Sequence, residues 1–247
     1  MKPCLAIFGA LLLLQSAPLR GQDPASPDPK ERARTARDLA SQGSVAIPAD
    51  PLVLATRDAD PQVQMTATDG LVNFYLPGYV KTGITAPFRK AGSSIKGRFT
   101  DTNDQVVPAN MEIRPDIVEA VGKLARGGSS MESRATAARA AGILRAAAAV
   151  PDLVEATRSR NTEVIYEALI AIQKIRDKSA GPQIAFLLGD LDEGVQIAAI
   201  ETTGVLQNFD ALPRLYKVLY ETRSKKVRRA ALTSIAMMPR EENRTYY

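Results

Sequence analysis

The sequence predicts an all-α solenoid of stacked helix pairs, interrupted by one irregular insertion. Three observations carry that expectation. Pro151, Pro182 and Pro213 recur every 31 residues, each between two apolar stretches of helical period. Five polar residues, Asp60, Ser130, Asn161, Asp192 and Ser224, each open a stripe of apolar or small side chains at the same offsets. The chain is 45% hydrophobic but carries only 13 aromatic residues (seven Tyr, six Phe) and no Trp. Ala and Leu dominate, and small side chains let helices approach closely, as a layered stack requires.

The first segment, 1–21, reads as a secretory signal peptide. Lys2 supplies a positive start, and Leu5 to Leu14 is an uncharged apolar run. That run is too short to cross a hydrocarbon core of about 30 Å, so no stable transmembrane segment is expected after cleavage. An uncleaved anchor is the alternative reading. Cleavage is expected near Gly21 or Gln22. Cys4 precedes the apolar run and is the only cysteine, so the mature chain has neither thiol nor disulfide. Its fold must rest on packing alone. Residues 22–30 hold three prolines and read as a Pro-rich linker.

The repeats follow. N-terminal units occupy 31–75, with a looser one from Asp28 to Thr56 and a clear one opened by Asp60. After Asp60 come Val63, Ala67, Leu71 and Phe74; after Asn161 come Val164, Ala168, Ile172 and Ile175. Spacings of four, four and three place these on one helical stripe. Ser130, Asp192 and Ser224 open equivalent stripes through Ala137, Ala199 and Ala231. All five opening residues are good N-caps, with side-chain oxygens able to accept from the first-turn N–H groups. Pro61 suits the first helical position, and Glu132, Glu163 and Glu193 complement the helix dipole. Second helices are expected at the repeating prolines, each unit being a helix of about 14 residues, a short turn and a helix of about 10. Between Phe74 and Ile117 the period fails, and 76–114 reads as a Gly/Pro-rich insertion. Units resume over 115–247, the last one incomplete.

These units resemble HEAT repeats, in particular the short bacterial type of the phycobilin lyase subunits. The segments that carry the resemblance are 60–67, 192–204 and 224–232, and it extends over about 28–75 and 115–238. It implies a right-handed superhelix of the armadillo kind. It specifies the fold far more than the function, because such repeats serve as scaffolds, adaptors and occasional enzymes.

Chemistry is bounded mainly by what is absent from the composition. With no His anywhere, Ser-His-Asp triads and His metal ligands are excluded, including the His-Glu iron motifs of the deoxyhypusine hydroxylases. No phosphate-cradling Gly-Lys-Ser/Thr loop occurs. Asp101, Asn103, Gln105 and Glu112 match a calcium-loop spacing, but Val106 stands where Gly is required, so a polar loop is the simpler reading. Asp190, Asp192 and Glu193 read as a capped turn. No catalytic residue, metal or cofactor is expected.

Candidate contact residues fall in two basic groups. The first combines Tyr75, Tyr79, Lys81, Phe88, Arg89, Lys90, Lys96, Arg98 and Phe99 of the insertion and its edge; residues 76–100 hold five cations and no acid. Interleaved cations and aromatics suit an anionic partner, and long loops in a regular array seldom lack a role; a solvated loop, with Phe74 and Tyr75 closing the core, is the alternative reading. The second is Lys225, Lys226, Arg228 and Arg229, at a helix start where the dipole disfavours cations; a solvated turn with the arginines on the outer face is the simpler reading. Net charge is mild, +5 overall, which does not suggest nucleic acid. The expectation is an exported, periplasmic or extracellular, non-enzymatic scaffold. It would bind another macromolecule, most simply a protein and in particular an acidic one, or else an anionic envelope component, through the solenoid face and the insertion. The alternatives are a bilin-lyase-like enzyme or small-ligand carrier, and a structural spacer within a longer array.

Overall fold

A computed structural model describes residues 24–42, 49–79 and 105–238. Their regular structure is helical, arranged as pairs in two layers. The first layer contains α1 (Pro29–Gln42), α3 (Pro61–Tyr75), α5 (Met131–Ile143), α7 (Thr162–Ile175), α9 (Glu193–Val205) and α11 (Lys225–Met237). The second contains α2 (Asp50–Ala55), α4 (Pro115–Gly127), α6 (Val150–Ala156), α8 (Gly181–Ile184) and α10 (Leu212–Glu221). Successive first-layer helices pack side by side, α1 on α3 through to α9 on α11, and each second helix leans mainly on the next unit's first helix.

All five expected caps are formed. Asp60, Ser130, Asn161, Asp192 and Ser224 are the N-caps of α3, α5, α7, α9 and α11, and each side chain accepts first-turn N–H groups. A second device stands two residues earlier. Asp58, Ser159, Asp190 and Thr222 accept the N–H of the cap residue itself. Gly128 occupies that place before α5, and there Ser133 accepts from Ser130 instead, completing a capping box. The acidic group at 190–193 is thus a capped turn.

The predicted stripes form the core. Ala67, Ala137, Ala168, Ala199 and Ala231 are all fully buried. At the repeating prolines, α6, α8 and α10 begin one residue ahead of Pro151, Pro182 and Pro213. Only α10 reaches ten residues; α8 is a single turn that tightens to a 3-10 helix over Ala185–Gly189. The turn from first to second helix repeats as faithfully as the caps. Arg145, Arg176 and Gln207 adopt positive φ (50°, 63° and 54°), 31 residues apart, and each precedes a short 3-10 turn. A left-handed residue ends a helix sharply and frees its N–H for a carbonyl of the last turn.

First-layer helices approach closely at one register position. A Cβ added to Gly142 would lie 2.7 Å from Ala171 Cα, and one on Gly204 would lie 2.8 Å from Ser234 Cα. Ser234 Oγ then donates to Ile200 O at 2.7 Å, tying α11 to α9.

Two boundaries are refined: the unit read from Asp28 overlaps the end of the linker read at 22–30, and the insertion gains a place within the repeat. The helix α1 begins at Pro29, inside the span read as linker, and the turn before it is docked: Ser26 is buried, and Arg32 donates to Ser26 O while pairing with Asp58. The period fails not between two units but inside one. By its packing against α2, α5 and α6, α4 is the second helix of the unit begun by α3. The insertion therefore occupies the turn where other units need only a few residues.

Candidate interaction surface

Both roots of the insertion are fastened to the stack. Phe74 and Tyr75 meet edge-to-face at the end of α3, half-buried, with ring centroids 5.2 Å apart. Tyr75 Oη accepts the N–H of Arg114 at 3.1 Å, joining the two ends of the insertion. Asn73, buried, donates to Ala40 O and accepts from Gly78 N–H, directing the chain away from α3. Gly78 sits at φ 93°, a conformation that favours glycine. At the other root Val107 is buried, and its N–H donates to Ile143 O at 2.9 Å. Arg114 pairs with both Asp116 and Asp50, bridging α4 to α2.

Residues 107–115, the start of α4 and the turn around 144–152 enclose a groove of about 460 Å³. Val107, Met111, Ile113 and Val118 give it an apolar wall; Glu119, Arg145 and Asp152 give it charge. Tyr75, read as a contact residue, thus anchors the insertion. Tyr79 is half-buried against the core, its N–H bonded to Leu76 O. Lys81, Phe88, Arg89, Lys90, Lys96, Arg98 and Phe99 lie outside the described residues, as do Asp101 and Asn103 of the calcium-like spacing.

A polar cluster crosses the first layer nearby. Arg139 on α5 reaches Glu167 on α7 through Nε at 3.1 Å and through Nη2, with side chains only 11% and 13% exposed. Burial alone would lower the Arg139 pKa, but the charge and hydrogen bonds of Glu167, with Tyr79 and Asp69 adding to the field, raise it above the ordinary value. Burial, then the charges of Glu167 and Glu201, push the Tyr166 hydroxyl up, and burial also raises Glu201. Sequence reasoning missed this cluster. Its signal was present: Asp69, Arg139 and Glu201 each stand nine residues after a cap.

The second basic group gathers at the start of α11. Lys226 Nζ lies 3.4 Å from Glu193, whose other oxygen accepts the hydroxyl of Ser224. Arg228 donates to Thr222 O at 2.8 Å. Lys225 and Arg229 are exposed. Lys226 thus turns back onto the preceding unit, while Arg228 stays exposed and ties only to the turn before its own helix. Among the described residues no cluster of three metal-binding side chains occurs, and no helix is long and apolar enough to cross a membrane.

No family model and no curated protein matches the sequence. Solved structures do match the fold. The complex of CpcE and CpcF of phycocyanin lyase from Nostoc sp. PCC7120 aligns with a TM-score of 0.56 at 16% identity, over 91% of this chain and 71% of that one. This is an α-solenoid of the HEAT and armadillo kind. An engineered protein matches at a TM-score of 0.55 and 20% identity, over 87% of this chain and 94% of its own. A designed armadillo repeat protein, solved in complex with the peptide (KR)4, matches at 0.52 and 21%, over 87% and 96%.

Proposed function

We propose that this α-solenoid is a scaffold that binds a protein partner at the edge where its insertion is rooted. One observation carries the reading. The turn inside the second unit is expanded from a few residues to a long segment, yet both roots are locked by Tyr75, Arg114, Val107 and Asn73. The anchoring leaves beside it an apolar-walled groove with charged rims, the composition of a recognition site. Helical repeats offer extended surfaces suited to such binding, and a designed armadillo protein of similar fold is solved with a peptide. A leader at 1–21, as read from the sequence, would carry this activity outside the cytoplasm, where the basic and aromatic side chains of 81–99 would meet an acidic protein or an anionic envelope component. The lack of His, and of Cys beyond Cys4, weighs against catalysis.

The test is affinity capture from native cell-envelope extract, with partners identified by mass spectrometry. Three baits are compared: the intact chain, a variant with 80–104 replaced by about ten Gly/Ser residues, and Met111→Asp at the groove wall. A protein retained by the intact chain and lost by both variants supports the proposal. Equal capture by all three refutes it.

A second reading, a small-ligand carrier, draws on the same groove. Val107, Met111, Ile113 and Val118 would contact an apolar ligand, and the fold resemblance to a phycocyanin lyase complex gives bilins as the first compounds to try. A bilin-dependent rise in Tm that Met111→Asp abolishes would favour it.

A further inference from the structure

The repeat register makes α11, the last helix of the described residues, comparable, position by position, with those before it. Eight residues after the cap stand Thr68, Ala138, Leu169 and Ile200 in α3, α5, α7 and α9, each 0% exposed beneath the following unit. In α11 the same position is Leu232, 53% exposed. Twelve residues after the cap, Val72, Gly142 and Gly204 are buried while Ala236 is exposed. Four after it, Gln64 and Ile165 are buried while Arg228 is exposed. Arg228, Leu232 and Ala236 therefore line the side by which each earlier first helix receives its successor.

The charge on that side is also readable. In α9 the residue after the cap is Glu193, and it receives the next unit's Ser224 and Lys226. The equivalent residue of α11 is Lys225, a reversal of sign. The helix carries four cations and no carboxylate. A second copy fits poorly. An end-to-end contact would bring Lys225, Arg228 and Arg229 together from both chains. A head-to-tail contact would set them against α1, whose exposed charges, Lys30, Glu31, Arg34 and Arg37, are predominantly positive.

We propose that the open face of α11 docks an amphipathic helix of a partner protein, apolar where it meets Leu232 and Ala236 and acidic in its first turns beside Lys225, Arg228 and Arg229. Packed as the stack packs, the incoming helix runs parallel to α11. Its acidic start then also matches its own dipole. Ala236 allows the close approach that Gly142 and Gly204 allow earlier in the stack. Leu232 supplies the apolar contact, and the cations fix direction and register. This surface is distinct from the insertion groove, so the two proposals fail independently.

The experiment uses the full chain and two labelled synthetic helical peptides of about 18 residues, long enough to hold helix. Both carry a Leu/Ala seam; one has glutamates in its first two turns, the other lysines. Fluorescence anisotropy should give the acidic peptide at least about tenfold tighter binding, narrowing with salt. Leu232→Glu should abolish that binding with helicity and Tm unchanged, since its side chain is largely in solvent. Lys225→Glu with Arg228→Glu should invert the preference between the peptides. Equal affinities, or no binding of the acidic peptide, overturn the proposal. So does a dimer in sedimentation that Leu232→Glu dissolves. Binding seen only after truncation behind Met238 would assign the face to the chain's own tail and overturn it as well.

Discussion

Breaking the ion pair between Arg139 and Glu167 should cost far more than a surface salt bridge, because both side chains are nearly out of solvent. At 3.1 Å and an effective dielectric of ~20, two unit charges attract by about 5 kcal/mol before desolvation is counted. Most of that gain is offset by the cost of burying the ions. Removing one partner forfeits the attraction and leaves the other ion buried. Glu167→Ala is therefore expected to destabilise by about 3 kcal/mol, the lower end of the range for broken buried pairs. Arg139→Met should cost similarly. The double variant Arg139→Met/Glu167→Leu should cost less than either single change, since no ion is stranded and the apolar volume is largely retained. Urea denaturation of the four proteins closes a double-mutant cycle. Because repeats can unfold in stages, the transition is followed by helicity and by Tyr fluorescence together, and coincidence of the two licenses the bookkeeping. A cost below about 1 kcal/mol for Glu167→Ala, with no coupling in the cycle, would falsify the argument and class the pair with exposed bridges.

Three further outcomes follow from the same packing. Gly142→Val should lower stability by roughly 2 kcal/mol or more, because its Cβ would meet the Ala171 backbone, whereas Gly127→Ala, with nothing within 4 Å, should be neutral or stabilising; paired thermal melts decide. Arg176→Gly should raise stability by about 0.5–1 kcal/mol and Arg176→Val lower it, since the residue holds φ 63°; unchanged Tm for both would show that the turn relaxes. The hydrogen bonds of Arg32, with burial opposing and the N–H groups of Ala59 and Asp60 assisting, hold the Asp58 carboxyl below its ordinary value of 3.8. A depressed carboxylate contributes its full stability above the unfolded pKa and loses it as pH falls through the folded one. Wild type should therefore lose more stability than Asp58→Asn when melts at pH 6 are compared with melts below about pH 4; equal losses would refute the assignment.

Much of the fold was legible because its signals are local. Caps at Asp60, Ser130, Asn161, Asp192 and Ser224 depend on one side chain and its own backbone, and alanine stripes report a single helix face. The turn residues were not legible, because Arg145, Arg176 and Gln207 adopt a conformation usually given to glycine. Only their 31-residue recurrence could have exposed them. The true place of the insertion was hidden for another reason. That α4 completes the unit of α3 is a fact of packing across about 40 residues of chain. Of the candidate contacts, Tyr75 proved to be spoken for by Arg114, a partner 39 residues away that no sequence spacing reveals. The Arg139–Glu167 pair joins different units, and only knowledge that offset nine of one helix meets offset six of the next would have found it.

The placement of the interruption inside a unit has a topological consequence. On one side of it lie α1, α2 and α3; on the other, α4 onward. Yet the seam between the two parts is not a boundary between modules, because α3 rests on α5 and α2 touches α4. The two lengths of chain interlock like the fingers of two hands. Packing therefore joins the two parts independently of the peptide chain between them. A cut there would leave two fragments with complementary surfaces, each exposing the apolar flank that the other covers. The same site would accept a foreign domain, or a new pair of chain ends, without moving any helix out of phase with its neighbours.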